Sequence, residues 1–381
     1  MVLGVVIMSE QDQHRYDLVQ QVLNGRLTIR ELSTIIGKSY SQAKRIVKRV
    51  KQYGMVGIKH GNTNRMPWNK TPEPLLQDVL ELLQNDYKEF NLTHFREMLQ
   101  EKEGILIGKN VLHRLARKNQ LVKRPKRRRK KVHKLRPRMP RAGMLVQFDG
   151  SRHKWFGGQE YDLIGGIDDA TGEIVGLEFF HGETSINCMK VMKDIVTENG
   201  VPDAFYLDGA GYFGKHDRET NTQIGRALEE LNCQCLIAGS PQAKGKIERL
   251  WNTLQDRLIA ELGFYQITTI EDANKFLKED FIPKFNTKFG YKAREKSSAY
   301  SVIERNLDDI FCKKTDRKIG LGGQFSYNGK LYVVKNLKYK CGTVWILEHI
   351  DGRTSYQIMH QDIEVEKYTP KRKNNIYPMA A

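Results

Sequence analysis

Between residues 144 and 258 the sequence passes from strand patterns to alternating helix and strand patterns, and this order restricts the fold more than any other feature. Three apolar segments joined by short turns come first: "MLVQFD", "YDLIGGIDD" and "EIVGLEFF". Helical segments then alternate with the strand-like segments "PDAFYLD" and "CQCLIAG". The first three predict an antiparallel meander, and the alternation that follows predicts a mixed sheet. We therefore expect an α/β domain with a mixed five-stranded sheet and helices on both faces.

Two aspartates follow apolar strands of this domain. Asp149 comes after "LVQF" and Asp208 after "AFYL", and each precedes a glycine. A strand holds such a carboxylate rigidly, and the glycine lets backbone or ligand approach closely. If the two strands are neighbours, these oxygens can converge on a divalent cation such as Mg²⁺. Each aspartate alone is equally compatible with a residue that caps a turn.

A third acid, Glu248, lies in "SPQAKGKIERLWNTLQDRL". The apolar stripe of this predicted helix is Ile247, Leu250, Trp251, Leu254 and Leu258. At 100° per residue Glu248 falls on the border of the stripe, next to the sheet, with Lys244 on the same face. Lys246, Arg249 and Arg257 are predicted to face DNA or solvent. Three carboxylates among basic side chains suit metal-assisted phosphoryl transfer.

Asp168 and Asp169 are competing candidates, because they also follow an apolar strand. They directly precede "ATG", and aspartate is favoured in turns because its side chain bonds the local backbone. We therefore predict that they form a hairpin turn.

The N-terminal segment predicts three helices. The first covers about residues 10–24, the second begins at "TIREL", and the third is "SYSQAKRIVKRVKQYG". Thr28 and Glu31 have the spacing of a capping box, and Gly37 and Gly54 end the last two helices. This is the pattern of a helix-turn-helix unit. The outward side chains of the third helix are predicted to bind DNA, although they are also compatible with a solvated basic face: Ser41, Gln42, Lys44, Arg45, Lys48 and Arg49.

A strongly basic segment follows a second group of helical patterns. Residues 123–141 contain twelve Lys or Arg among 19 residues, including Arg127, Arg128, Arg129 and Lys130. Such a segment cannot bury a core, but it can neutralise DNA phosphates and release their counterions. A nuclear-localisation signal is the alternative interpretation. The formal charge of +18 for the whole chain also indicates a polyanionic partner.

The three acidic segments carry a family resemblance. "LVQFDGSRHKWF", "YLDGAG" and "SPQAKGKIERLWNTLQDRL" resemble, in this order, the catalytic blocks of the DDE integrase core. This RNase H-like domain is shared by retroviral integrases and many bacterial insertion-sequence transposases. "QFDGS" with a nearby Trp resembles the ISNCY-like elements in particular. The resemblance implies that Asp149, Asp208 and Glu248 form the catalytic triad and bind two Mg²⁺ or Mn²⁺ ions.

The resemblance covers nearly the whole chain and also implies its partners. These are double-stranded DNA, as element ends and as target, and further copies of the chain in at least a dimer on DNA. The interval between Asp208 and Glu248 exceeds the commonest one, and the insertion is predicted at "YFGKHDRETN". The His/Cys zinc site of retroviral integrases is absent from the sequence, which favours a bacterial-type transposase.

The predicted organisation has six parts. They are a helix-turn-helix domain (1–65), a second helical DNA-binding domain (66–122), a basic linker (123–142), the RNase H-like core (143–264), a helical connector (265–316) and a small β-barrel with a basic tail (317–381). The barrel is predicted from hairpins with Asn-Gly and Asp-Gly turns.

These features lead to one functional hypothesis and two alternatives. The hypothesis is a DNA transposase that binds terminal inverted repeats, cleaves a strand and transfers it to target DNA. The alternatives are a catalytically silent DNA-binding regulator and a structure-selective RNase H-type nuclease. The five cysteines form no C-x-x-C pair, and no segment suggests a signal peptide or a membrane partner. A cytoplasmic location is expected, associated with the nucleoid if the host is bacterial.

Overall fold

A computed structural model of the chain describes residues 8–60, 63, 66–122, 137–208, 222–237, 245–335 and 342–368. The chain forms two compact units, Met1–Gln77 and Asp78–Ala381. The predicted insertion "YFGKHDRETN" and most of the basic linker lie outside the described residues. No helix in the described part of the chain is long and apolar enough to cross a membrane.

The helices are α1 (Glu10–Leu23), α2 (Ile29–Ile35), α3 (Tyr40–Tyr53), α4 (Glu73–Gln84), α5 (Leu92–Lys102), α6 (Lys109–Lys118), α7 (Ser185–Asn199), α8 (Gln223–Glu230), α9 (Gly245–Phe264), α10 (Ile270–Phe276), α11 (Ile282–Phe289) and α12 (Leu307–Ile310). The strands are β1 (Val146–Phe156), β2 (Gln159–Asp168), β3 (Ile174–Phe180), β4 (Ala204–Leu207), β5 (Gln234–Ile237), β6 (Cys312–Ile319), β7 (Gln324–Tyr327), β8 (Lys330–Val334), β9 (Gly342–His349), β10 (Thr354–Ile358), β11 (Gln361–Asp362) and β12 (Val365–Lys367).

The first unit contains the three helices expected from the sequence. The hydroxyl of Thr28 accepts the backbone N–H of Glu31, whose carboxylate accepts the N–H of Thr28 in return, as a capping box requires. On α3, Ala43 and Val50 are buried in a core shared with α1 and α2. α3 ends at Gly54, which adopts a positive φ of 62°. A short 3-10 helix, Gly54–Ile58, packs back onto α3.

An ion pair fixes the start of α1 in this unit. Asp12 accepts a 2.7 Å hydrogen bond from Lys59, and this bond and that from Ser9 lower the pKa of Asp12 to about 2. A carboxylate whose pKa is lower in the folded state stabilises the fold at any pH above its unfolded pKa of about 4. This stabilisation is lost as the pH falls from about 4 towards 2, the folded pKa of Asp12.

We expect Asp12→Asn to lower the opening free energy of α1 by about 1 kcal/mol at neutral pH, because it weakens an ion pair and a cap. Hydrogen exchange of α1 peptides in the full chain measures this, with exposed Asp17→Asn as the control. The difference from wild type should shrink as the pH falls from about 4. If Asp12→Asn and Asp17→Asn lowered the opening free energy of α1 equally, the stabilising role of the Asp12–Lys59 pair would be refuted.

The second unit is built on a mixed sheet with the strand order β3-β2-β1-β4-β5. β2 is antiparallel to both β1 and β3, whereas β4 is parallel to β1 and β5 is parallel to β4. This arrangement confirms the mixed five-stranded sheet and is the one expected of an RNase H-like core.

Helices cover both faces of this sheet, as predicted. On one face α7 and α8 pack over Phe148 and Phe205. On the other face α9, α10 and α11 pack over Trp155 and Leu163. The helices of the predicted connector therefore share a core with α9. A π-helical turn, Leu277–Phe281, joins α10 to α11 within this layer.

Side-chain amides cover the exposed edge of β3. The amide of Asn274 donates to the carbonyl of Phe179 and accepts its N–H, at 3.2 and 2.7 Å. Asn286 makes the same pair of bonds to Ile174, at 2.9 and 2.8 Å. Each amide thus makes the two hydrogen bonds that a residue of a neighbouring strand would make. The backbone N–H and C=O groups of Phe179 and Ile174 therefore do not need another strand as partner.

The segment around α5 packs against the second half of α9. The ring of Tyr87 stacks on that of Phe264, with centroids 4.9 Å apart. Glu97 accepts a 2.6 Å bond from Arg257, and His94 lies 2.9 Å from Glu261. The sequence predicted that Arg257 would face DNA or solvent. It instead joins these two helices through its ion pair with Glu97, and its side chain is only 11% exposed.

The C-terminal region contains antiparallel sheets, but the described residues do not form the closed barrel that the sequence predicted. The two sheets have the orders β11-β10-β9-β6 and β12-β8-β7 and enclose one apolar core. The predicted Asn-Gly turn is present, with positive φ at Asn328 and Gly329. Gln223 of α8 bonds both backbone groups of Lys314 at 2.9 Å, which attaches β6 to the central domain.

Candidate active site

Asp149 lies on β1, and Asp208 directly follows β4, the parallel strand beside β1. Val146 pairs with Phe205 and Gln147 with the next residue of β4. Each aspartate is two residues beyond the last of these pairs, and extending the register by two residues aligns Asp149 with Asp208. Aligned residues of adjacent strands are about 5 Å apart and point to the same face. The sheet thus brings together two acids that are distant in sequence.

One detail of the sequence prediction is wrong. Asp149 does not end its strand, because β1 continues to Phe156 along β2. What ends near Asp149 is the pairing with β4. The strand continues because Trp155 and Phe156, both buried, join the core beneath α9.

Helix α9 runs beside β1 and carries Glu248 to the same end of the sheet. The backbone N–H of Ile247 donates to the side chain of Gln147 at 3.2 Å, and the indole of Trp251 donates to the carboxylate of Asp149, also at 3.2 Å. Glu248 precedes Trp251 by three residues, a separation that places side chains on one helical face. The Glu248 side chain is exposed.

A buried polar network fixes the first turn of α9. The carboxylate of Asp169, fully buried, accepts a 2.9 Å bond from Gln147 and lies 3.0 Å from the ammonium of Lys246. It also accepts the backbone N–H of Met139 at 2.9 Å. The network therefore joins β1, the turn after β2, α9 and the end of the basic linker.

This network corrects two predictions. Lys246 was expected to contact DNA, but its ammonium binds Asp169 and its side chain is only 17% exposed. Asp169 was expected in an ordinary hairpin turn, and its carboxylate is buried instead. The turn role belongs to Asp168, which accepts the backbone N–H groups of Ala170 and Thr171 at 2.8 and 3.0 Å.

The sequence indicated neither Gln147 nor Trp251 as a residue of the site. A glutamine within the apolar run "LVQF" was an available signal, because a buried strand accepts such a side chain only when it is hydrogen-bonded. Trp251 was assigned to the apolar stripe, and it is mostly buried. Its indole nitrogen additionally orients Asp149.

Another acid, Glu183, lies close to Asp149. A Cβ at Gly150 would come within 2.4 Å of the Glu183 carboxylate, so a larger residue there would displace the Glu183 side chain. Burial raises the pKa of the Cys188 thiol, and the carboxylates of Glu183, Asp208 and Asp149 raise it further. All three carboxylates therefore lie within electrostatic range of Cys188, at this end of the sheet.

The donor set suits a hard divalent cation, because carboxylate oxygens are the ligands that Mg²⁺ prefers. Asp149 and Asp208 are aligned, whereas Glu248 is exposed on the adjacent helix. Within the described ranges, no group of three or more His, Cys, Asp or Glu residues is close enough to hold one ion. The structure thus aligns two of the three acids predicted from the sequence and places the third on a neighbouring element.

The other predicted DNA contacts are distributed over several segments. On α3, Ser41, Gln42, Lys44, Arg45 and Lys48 are exposed and Arg49 is half-buried. The side chain of Gln42 is used locally, since it accepts the N–H of Ser39 at the N-cap. Arg249 is exposed on α9. Arg127, Arg128, Arg129, Lys130 and Lys244 lie outside the described residues.

Two relatives cover most of the chain. The protein y4bF of Sinorhizobium fredii, which is named as a transposase, is 31% identical over 352 residues, with 90% of this chain and 77% of that protein covered. The transposase for insertion sequence IS1202 of Streptococcus pneumoniae is 30% identical over 362 residues, with 84% and 77% covered. This chain belongs to the insertion-sequence transposases. No protein-family model matches it.

Solved structures similar to this transposase include retroviral proteins. The HTLV-2 integrase catalytic core domain in complex with magnesium is 16% identical, with a TM-score of 0.29 and coverage of 35% of this chain and 83% of that one. A chain of the simian T-cell lymphotropic virus intasome is 13% identical, with a TM-score of 0.36 and coverage of 77% and 100%. At these scores neither likeness bears on function, and the strand order and pairing of the transposase establish its core fold.

Proposed function

We propose that this transposase is a DDE-type polynucleotidyl transferase that cleaves DNA at the ends of a mobile element and joins the freed 3′ ends to target DNA. Asp149, Asp208 and Glu248 would hold two Mg²⁺ or Mn²⁺ ions. The observation that carries the proposal is the register of β1 with β4, which aligns Asp149 with Asp208 just past the end of β4, next to the α9 face that bears Glu248.

The chemistry requires two displacements at phosphorus. In the first, a water oxygen attacks the end phosphodiester, and the bond to the 3′ oxygen breaks to leave a 3′ hydroxyl. In the second, that hydroxyl attacks a target phosphodiester and a new phosphodiester bond replaces the broken one. The bound ions would activate the attacking oxygen and neutralise charge on the leaving oxygen.

The residues of this chain position those ions. Asp149 is held by the indole of Trp251 and by the pairing of β1 with β2. Glu248 lies in the first turn of α9, which Asp169 fixes through Lys246. Because Glu248 is exposed, we expect its side chain to close onto the two aspartates when ions and DNA are bound.

DNA binding would involve the first unit and the basic linker. The exposed cations of α3 have the arrangement of a recognition helix. The linker adds phosphate contacts that are independent of sequence, so we expect affinity to fall steeply with salt. Strand transfer at two ends also requires at least two copies of the chain on DNA.

The test uses the full-length protein, Mg²⁺ and duplexes that carry the inverted repeats flanking the gene. We expect a cleaved strand with a free 3′ hydroxyl and its covalent joining to a supercoiled plasmid. Specific binding without metal-dependent cleavage would instead identify a silent regulator. Cleavage of branched or hybrid substrates without joining would identify an RNase H-type nuclease. Either result would refute the proposal.

A further inference from the structure

A cavity of about 350 Å³ lies beside α9, away from Glu248. From α9 it is lined by Arg249, Leu250 and Thr253. At 100° per residue these positions lie roughly 100–160° around the helix from Glu248. Arg138, at the end of the basic linker, and Tyr291 line another wall. The cavity is therefore separate from the candidate active site, although the two share a helix.

Two guanidinium groups give this cavity its charge. That of Arg138 stacks on the ring of Tyr291, 3.7 Å from its centroid. The ring lies beside Gly172, and the backbone N–H of Tyr291 donates to the carbonyl of Thr171 at 2.7 Å, which positions the residue on which Arg138 stacks. Arg249 donates through its Nε to the carbonyl of Gly245 at 2.6 Å, and its terminal nitrogens remain available.

No acid lines the cavity, and within the described part of the chain neither Arg138 nor Arg249 forms an ion pair with a carboxylate. A third cation, Lys246, also contributes to the wall, but buried Asp169 balances its charge. Two uncompensated guanidinium groups at one cavity suit a phosphate, because their planar donors bind its oxygens in pairs.

The remaining wall is apolar and aromatic. Leu250, Phe285 and Phe289 form it, with Ile167 beneath them. The volume falls within the range of sites that bind small molecules. A phosphate of intact duplex needs only a cationic surface. A cavity with guanidinium groups and aromatic rings suits a whole nucleotide, since unpaired bases stack on such rings.

We propose that this cavity binds one unpaired nucleotide of the DNA substrate. Its phosphate would lie between Arg138 and Arg249, and its base would lie against Phe289 and Leu250. This inference rests on one part of the proposed function, which is that DNA is the partner. The cavity uses neither the three acids nor a metal ion. The position of Arg138, at the end of the basic linker, would place DNA that follows the linker beside the cavity.

The experiment measures equilibrium binding of the full-length protein in EDTA. The probes are a blunt duplex and the same duplex with a short single-stranded tail. We expect the tail to raise the affinity about tenfold, the effect of one stacked and ion-paired nucleotide. Arg138→Gln and Arg249→Gln should each reduce the ratio of the two dissociation constants to near one. Arg305→Gln, which removes an exposed cation outside the cavity, should leave the ratio unchanged.

Two further measurements keep the test decisive. Phe289→Leu retains an apolar side chain but no ring, and it should lower the ratio without changing affinity for the blunt duplex. A photoreactive 5-iodouracil in the tail should cross-link to the peptide that contains Phe289 and Tyr291. Equal affinity for both probes, an unchanged ratio in the arginine variants, or a cross-link confined to another segment would overturn the proposal.

A last comparison separates DNA from a free nucleotide. Deoxyadenosine monophosphate should compete with the tail only weakly, because it lacks the contacts of the adjoining duplex. Competition as strong as that of the tailed duplex would show that the cavity binds a free nucleotide, and would also overturn the proposal. Asp149→Asn, which removes a proposed metal ligand, should still bind the tailed duplex more tightly than the blunt one. Binding in the cavity can therefore be tested whether or not the proposed catalysis is correct.

Discussion

Replacement of Asp149 or Asp208 by asparagine, or of Glu248 by glutamine, is expected to reduce strand transfer by about 10³-fold. Each substitution removes a negative ligand, and bound metal ions supply several kcal/mol of transition-state stabilisation in such reactions. A factor of ten in rate corresponds to about 1.4 kcal/mol. Gel assays of cleavage and joining with Mg²⁺ measure the loss.

The controls for this prediction separate chemistry from folding. Asp194→Asn on α7 and Glu271→Gln on α10 make the same chemical changes outside the site, and both should retain nearly full activity. The three triad variants should bind end DNA as wild type does. If Asp208→Asn or Glu248→Gln retained strand transfer within about threefold of wild type, that residue would be excluded from the triad. Such a change is too small for the loss of a metal ligand.

The largest effect on stability is expected at Asp169. Asp169→Ala leaves the ammonium of Lys246 largely buried without its partner and removes the acceptor of Gln147 and of the Met139 backbone. Loss of one member of a buried ion pair costs about 3–5 kcal/mol. We expect a reduction of this size in the unfolding free energy of the second unit, measured by urea denaturation.

A double variant tests the electrostatic part of this prediction. Asp169→Ala with Lys246→Met removes both charges, and it should recover part of the stability because no unpaired ammonium remains. The surface pair Arg152 and Glu160 is the matched comparison, since both side chains are at least 50% exposed. Loss of Glu160 should cost less than about 1 kcal/mol. A similarly small cost at Asp169 would refute the role of the network.

The central sheet and the apolar stripe of α9 could be predicted from sequence, because both depend on local periodicity. Burial of Ile247, Leu250 and Trp251 follows from their spacing alone. The alignment of Asp149 with Asp208 could be expected only if β1 and β4 were neighbours, which the sequence could not establish.

The polar network around Asp169 could not be predicted in the same way. Its members come from four segments, and no periodicity connects Gln147 or Met139 with Lys246. A lysine in a basic sequence is reasonably expected to face DNA, and only the position of a buried carboxylate reverses that expectation. The length of β1 beyond Asp149 was also missed, because "GSRHKWF" is polar until its last two residues.

The amides of Asn274 and Asn286 have a consequence for assembly. By occupying the backbone groups of Phe179 and Ile174, they prevent β3 from accepting a strand of another molecule at these positions. Copies of the transposase that meet on DNA therefore cannot join their central sheets into one continuous sheet across this edge. An association of copies that avoids this edge leaves β3 of each subunit intact, and separating those copies breaks no backbone pairing there.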